Sequence, residues 1–451
     1  MTKNLMTSVS GVRGVVGDSL TPETLVKYVS AFAQSLSGKK VVLGGDPRVS
    51  ARFVRPIVKG VLISCGCNVV DIGISATPTV QIMTEKLGAG GGIALTASHN
   101  PVEWNGLKFI GADGLFLPEK EVFQLFQIAD SRKRIYAEWD KLGTEETHQQ
   151  AAREHMQAIF NLPFIDVEKI RGKKYKVVAD CVNGAGGIII PELLRELGCE
   201  VVELNCEPTG IFAHTPEPVP QNLVELAKSV KKHQADLGVA VDPDVDRLAL
   251  IAHNGNPLGE EYTLALAVKY ILGKQLGVVV VNLSTSRVID DIAQYYNVPL
   301  FKTKVGEINV AQRMKEVEAV VGGEGNGGVI LPAVHLGRDA PVGIALILQA
   351  MTESGKTINE LKQELSQYYI LKDKVSIKNV DAEQVFEYFS EKFSSEQLDL
   401  TDGLRIDRKD SWIHLRKSNT EPIMRIIVES RTPEVSWRIL QEIKEEVQGL
   451  Q

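Results

Sequence analysis

Leu237-Gly-Val-Ala-Val-Asp-Pro-Asp-Val-Asp-Arg247 is an apolar run that breaks into three alternating carboxylates, Asp242, Asp244 and Asp246. Residues i, i+2 and i+4 of an extended segment share one side, so the three carboxylates converge where a strand runs out into a loop. Three negative charges that close repel strongly unless a cation neutralises them. All-oxygen ligation by a few carboxylates suits Mg²⁺ working beside a phosphate. An EF-hand loop is the obvious competitor and fails: its sixth position would be Arg247 rather than Gly, and its twelfth His253 rather than Glu. A solvated acidic turn is the plain alternative, since Asp is common in turns.

The apolar run closes a unit that occurs three times. Strand-like runs alternate with helical patterns through most of the chain, which predicts α/β architecture. The first unit opens at Lys40-Val-Val-Leu-Gly44, passes a helical stretch over 52–65 and Cys67-Asn-Val-Val-Asp71, and closes at Gly92-Ile-Ala-Leu95 with the loop Thr96-Ala-Ser-His-Asn-Pro101. The second opens at Tyr175-Lys-Val-Val-Ala-Asp180, has a helix over 188–197 and the run 199–203, and closes with the triple-Asp loop. The third opens at Gly277-Val-Val-Val-Val281, has a helix near 287–296, and closes with Gly322-Gly-Glu-Gly-Asn-Gly-Gly328. Internal repetition of this kind sets the fold, and ligands of open α/β sheets bind off the carboxyl ends of strands. Three equivalent loops facing one cleft could build one composite site. Beyond about residue 371 the pattern changes to a small α+β domain that ends in a charged helix over 433–447.

Composition agrees. The chain has 451 residues, 44% hydrophobic and 24% charged, ordinary for a globular protein of roughly three or four domains. A net charge of −7 without a long basic block argues against nucleic acid as a partner. No apolar stretch approaches transmembrane length and the N-terminus lacks a signal-peptide core. Five scattered cysteines, with Cys65-Gly-Cys67 at the wrong spacing for zinc, predict a reduced, cytoplasmic protein.

Each loop carries chemistry. A serine at a strand end, as Ser98 is, can be a nucleophile or phosphate carrier when a base and a cation are near; a lone Ser is more often a cap, and a lone His such as His99 more often structural. Beside an acidic metal loop on the equivalent strand, the pair instead suits phosphoryl transfer. Residues 323–328 match GxGxxG only weakly: Val329-Ile-Leu-Pro332 follows in place of a helix, and no acid lies about twenty residues on. Close backbone approach to a ligand is the better reading, with Glu324 and Asn326 hydrogen-bonding to hydroxyls. No Walker motif occurs. Further on, Arg416-Lys-Ser-Asn-Thr-Glu-Pro-Ile-Met-Arg425 surrounds a polar turn with cations, where Ser418, Asn419 and Thr420 can donate to an anion. Ser10-Gly-Val-Arg-Gly14 is uninformative alone.

Together SGVRG, TASHNP with NGLK, DPDVDR, GEGNGG and RKSNTEP occur in the order and spacing of the α-D-phosphohexomutase superfamily, and the resemblance covers essentially the whole chain. It implies four domains around a central cleft, three related α/β units with mixed sheets plus a small C-terminal α+β domain. Their expected bounds are 1–150 (phosphoserine), 151–255 (metal), 256–370 (sugar) and 371–451 (phosphate). It further implies that Ser98 is the phosphoserine and that one Mg²⁺ is held by Asp242, Asp244, Asp246 and a Ser98 phosphate oxygen. A hexose 6-phosphate and hexose 1-phosphate are interconverted through an enzyme-bound 1,6-bisphosphate, which also serves as activator. Arg13 and Arg247 offset phosphate charge, His99 adjoins the serine, and Lys108 is the candidate acid/base, provided its ordinary pKa of about 10.4 falls, or else acts electrostatically. Glu324 and Asn326 hold the sugar; Arg416, Ser418, Asn419, Thr420 and Arg425 grip the non-reacting phosphate.

There are departures. Many members read GEMSGH or GEQSGH in the third loop, whereas this chain has Asn326 and Gly328 and so lacks the loop histidine. Its phosphate loop reads SNTEP rather than SGTEP. The combination is most similar to the phosphoglucosamine and phosphomannose branches, so glucosamine 6-phosphate is the expected substrate, with mannose or glucose phosphates the alternative. A metal-dependent phosphatase, a dinucleotide-dependent oxidoreductase and a sugar-phosphate sensor are the rival classes. A monomer or homodimer, without membrane or nucleic-acid partner, is expected.

Overall fold

The computed structural model describes residues 5–36, 38–131, 133, 135–418 and 422–450. Leu237–Val241 is a strand, buried at every residue. It runs parallel to Lys176–Asp180 and antiparallel to Leu248–Ala252; a strand covered on both faces needs no polar alternation. The order in this sheet is Leu248–Ala252, Leu237–Val241, Lys176–Asp180, Glu200–Leu204.

The same arrangement recurs. Gly91–Leu95 lies between its parallel neighbour Lys40–Gly45 and the antiparallel Trp104–Gly111. Val321–Glu324 lies between Val279–Asn282 and Gly328–Leu331 in the same senses. In each unit a crossover helix, Thr77–Lys86, Val224–His233 or Glu307–Glu316, precedes the closing strand. The loops singled out by sequence join each closing strand to its antiparallel return, so all three leave equivalent carboxyl ends. Residues 329–332, read as strand or turn, begin within that return strand.

The fourth sheet is wholly antiparallel, ordered Tyr369–Ser376, Ile423–Ser430, Ser411–Lys417, Leu404–Asp407, Gln397–Asp399. Helices Ala382–Lys392 and Pro433–Gly449 accompany it. The second and third units share one apolar core, in which helix Ala340–Ser354 is buried along most of its length. The first and fourth have cores of their own. Polar contacts seat the fourth sheet on the third unit: Arg287 donates to Asp407 and to the Ser411 carbonyl, the Val305 amide to Asp402, and Ser284 Oγ lies 3.0 Å from His414 Nδ1.

All five cysteines are buried and unbridged. Among the described residues no helix is long and apolar enough to cross a membrane.

Candidate active site

Ser98 turns out of strand Gly91–Leu95 in left-handed backbone, φ +50°, uncommon for a residue with a Cβ. What holds it there is Arg48, 1% exposed, whose guanidinium donates to the carbonyls of Ser98, Asn100 (2.8 Å), Pro101 (2.6 Å) and Trp104 (2.9 Å) while Nε reaches Asp46 at 3.1 Å. Thr96 Oγ1 adds a 2.6 Å bond to Asp46. The Ser98 hydroxyl so fixed donates to Asp242 Oδ2 at 3.0 Å and lies 3.3 Å from His99 Nδ1.

The triple-Asp loop turns at Val245, φ +66°, a costly conformation for a β-branched residue. Three elements hold it: the Thr77 amide and hydroxyl donate to Asp244 (2.9 and 2.7 Å), the Ala185 amide to the Pro243 carbonyl (2.9 Å), and the Ala340 amide to the Val245 carbonyl (3.2 Å). All three carboxylates are fully buried. Their candidate ligand oxygens lie within 4.8 Å of one another, the one such group of His, Cys, Asp and Glu found among the described residues. Asp244 Oδ1 and Asp246 Oδ1 have no hydrogen-bond partner. Unpartnered buried carboxylate oxygens are expensive, and a hard divalent cation is the group such oxygens fit.

The cations are unevenly distributed. Lys108 Nζ, 2% exposed, sits 2.6 Å from Asp244 and 3.1 Å from Asp246. Burial alone would depress its ammonium, but the two carboxylates outweigh it and leave the pKa above its usual value. Burial pushes Asp242 up, and Asp246 and Asp244 push it further. Asp244 is held low despite burial, chiefly by Lys108. Arg247, burial and Arg13 drive His99 well below the usual histidine range, so its imidazole is neutral. Arg13 Nη1 donates to Asn100 at 3.2 Å, and Arg247 pairs with Glu217 at 3.1 Å.

These residues open onto one cleft of about 320 Å³ that also meets Glu324, Asn326, Arg416 and Arg425. Arg416 and Arg425 are directly opposite on adjacent antiparallel strands. Like charges so placed repel, which suits them to an anion between them; Arg416 Nε also lies 2.8 Å from Asp402. Ser418 is buried beside them, its amide donating to Ile423. Asn419 and Thr420 lie outside the described residues. Arg13, Ser98, His99, Lys108, Arg247, Glu324, Asn326, Arg416 and Arg425 thus line the cleft, and Asp242, Asp244 and Asp246 form the carboxylate cluster, whereas Ser418 does not line it.

Arg48, Thr77, Glu261, Glu307 and Arg338 escaped the sequence reading. Apart from Asp46, two residues before Arg48, their partners are far away in the chain, and only the glycine loop offered a signal. A Cβ on Gly325 would lie 1.9 Å from Glu261 Oε2, and one on Gly328 2.3 Å from Arg338 Cδ. At Gly325 and Gly328 the close approach is thus to protein side chains.

A hydroxyl beside buried carboxylates, two of which keep an oxygen without a hydrogen bond, under a cleft rimmed by cations, defines a site suited to metal-assisted phosphoryl transfer. The comparisons narrow that class. The chain belongs to the phosphoglucomutase/phosphomannomutase family, matching its alpha/beta/alpha domains I, II and III at residues 5–135, 153–255 and 259–369 and its C-terminal domain at 369–446. It is a phosphohexomutase, an isomerase. A probable phosphoglucosamine mutase of Methanopyrus kandleri is 36% identical over 94% of both chains. A phosphoglucomutase/phosphomannomutase of Thermococcus kodakarensis is 38% identical over 96% of both. Among solved structures, a putative phosphomannomutase from Thermus thermophilus superposes with a TM-score of 0.85 over 99% of this chain and 100% of that one, at 25% identity.

Proposed function

We propose that the protein interconverts hexose 6-phosphate and hexose 1-phosphate through phosphorylated Ser98, with glucosamine 6-phosphate and glucosamine 1-phosphate as its pair. The observation that carries this reading is the Ser98 hydroxyl 3.0 Å from Asp242, in a loop whose Asp244 and Asp246 keep partnerless oxygens. Asp242, Asp244 and Asp246 would hold Mg²⁺, which when bound neutralises charge on the phosphoryl group in transit. The sugar hydroxyl attacks the Ser98 phosphate; the bond from Ser98 Oγ to phosphorus breaks as the new one forms. The resulting 1,6-bisphosphate turns over within the cleft and returns its other phosphate to Ser98.

Arg13, Arg247 and Lys108 balance the nearly two negative charges of the phosphoserine. Lys108, kept protonated by Asp244 and Asp246, offers charge more readily than basicity. Neutral His99 can take or return the hydroxyl proton. Arg416, Arg425 and the 418–420 loop hold the non-reacting phosphate, and Glu324 with Asn326 the sugar hydroxyls. The four domains are bounded at about residues 150, 255 and 370, and the enzyme works in the cytoplasm as a monomer or homodimer with a hexose 1,6-bisphosphate as activator.

A second reading, mannose and glucose phosphates as substrates, is favoured by the Thermococcus relative and by Glu324, whose carboxylate is already engaged by Arg338. Phosphorus NMR decides. With Mg²⁺, catalytic hexose 1,6-bisphosphate and each 6-phosphate in turn, a 1-phosphate should appear fastest from glucosamine 6-phosphate. Inorganic phosphate instead would mean a hydrolase.

A further inference from the structure

Gly328 stands where many family members carry histidine, and here another strand fills the space. Gly328 is not in left-handed backbone, so its conformation does not demand glycine; room does. Cδ and Cγ of Arg338 lie 2.3 and 2.9 Å from where a Cβ would sit. A side chain at 328 would therefore force the Arg338 stem, and the guanidinium it carries, to shift.

Admitted through that gap, Arg338 meets three carboxylates from three different elements. Nη2 is 2.6 Å from Asp246, Nη1 2.7 Å from Glu324, and Nε 3.0 Å from Glu307. Asp246 belongs to the metal-ready loop of the second unit, while Glu324 ends the closing strand of the third. Glu324 Oε1 accepts from Asn282 and the Gly306 amide, both at 2.8 Å, so Arg338 completes its partners. A planar guanidinium can span such a set because its N–H groups point in fixed directions; an ammonium cannot.

We propose that Arg338, admitted by Gly328, is the positioning residue that locks Glu324 to Asp246 and balances the charge of Glu324 toward the sugar. This rests on the mutase reading of the cleft. A carboxylate already paired attracts an ammonium little more than a hydroxyl, so amino and neutral hexose phosphates are both accepted. Arg338 thereby tempers selectivity at the carbon facing Glu324.

The experiment compares wild type, Arg338→Met, Arg338→Lys, Gly328→Ala and the double variant Gly328→Ala/Arg338→Met. Glucosamine 6-phosphate and glucose 6-phosphate are measured for kcat/KM and, without turnover, for calorimetric affinity. Arg338→Met should lower kcat for both sugars and shift the affinity ratio toward glucosamine by about tenfold, the size of one hydrogen-bonded charge pair. Gly328→Ala should reproduce that shift without touching Arg338's chemistry, and the double variant should be no worse than either. Arg338→Lys should restore the ratio in part. An unchanged ratio in both single variants, or additive losses in the double, overturns the proposal. Failure of the wild type to form any 1-phosphate would refute the mutase reading instead, while the calorimetric ratio would still test Arg338.

Discussion

Arg48→Met should damage the fold and the reaction through one loop. The guanidinium is buried, pairs with buried Asp46, and donates to the carbonyls of Ser98, Asn100, Pro101 and Trp104. Removing one partner of a buried ion pair costs about 3–5 kcal/mol, and each carbonyl left dry adds about 1–3 kcal/mol unless water reaches it. Two effects pull the total down. Burial already pushes the Asp46 carboxyl up, so it can neutralise in place, and the loop can relax outward to find water. A net loss of about 3–5 kcal/mol is therefore expected, with Asp46→Asn recovering part of it in the double variant. Because the carbonyl of Ser98 is among those released, its left-handed turn loses its clamp. A misplacement of about 1 Å at a reacting atom costs roughly a hundredfold in rate. The assay pairs urea unfolding with peptide-resolved hydrogen exchange over residues 96–106 and with kcat/KM. Faster exchange confined to that loop, together with a hundredfold fall in kcat/KM, is the expected result. Undisturbed protection, or kcat/KM within threefold of wild type, would show that Arg48 does not position Ser98.

Three further outcomes are expected. Ser98→Ala should abolish isomerisation while calorimetry still detects hexose phosphate binding; near-normal turnover would refute the phosphoserine. Arg416→Ala, which removes one of two opposed cations, should weaken every hexose monophosphate alike, and a loss confined to one sugar would contradict a phosphate contact. Glu261→Gln should gain stability relative to wild type as pH rises from about 5 to about 8. Burial raises Glu261 to about 8 from its usual 4.5, so in that window the folded chain holds a proton the unfolded one has lost and wild-type stability falls. The difference grows by at most about 1.4 kcal/mol per pH unit; a flat difference in denaturant unfolding would show Glu261 ionised throughout.

What the sequence shows well is whatever repeats or alternates locally. The three closing strands are short apolar runs before polar loops, and Asp242, Asp244 and Asp246 declare themselves through a two-residue period. Arg48 and Arg338 do not: although Asp46 lies only two residues before Arg48, the carbonyls that Arg48 clamps are about fifty residues away, and the carboxylates of Arg338 are 14 to 92 residues away, so no local pattern encodes them. Arg338 could have been suspected from Gly328, a glycine where the family often has a side chain, yet nothing local says which residue fills the gap. The same holds for Glu261 and Gly325. Thr77 opens a helix, and its bonds to Asp244 join the first unit to the second.

Burial excludes the plainest alternative for the triple-Asp loop, a solvated acidic turn. A turn in water would expose its carboxylates and adopt relaxed backbone. Here all three aspartates are at 0% exposure and Val245 is held at φ +66°, a conformation that costs about 1–3 kcal/mol by itself. The fold sustains this with bonds from Thr77, Ala185 and Ala340, one from each of the first three units. Cations offset the loop unevenly: Lys108 contacts Asp244 and Asp246, and Arg338 and, at 3.9 Å, Arg247 contact Asp246, whereas Asp242 accepts from Ser98 and the amides of Asp246 and Arg247. The Asp242 carboxylate that accepts from the Ser98 hydroxyl therefore belongs to the same buried group as the Asp244 and Asp246 oxygens that have no hydrogen bond. Strain and desolvation imposed from three sides on one loop, with buried carboxylate oxygens left beside a clamped serine, are what a surface turn would not retain, and such oxygens fit a hard cation.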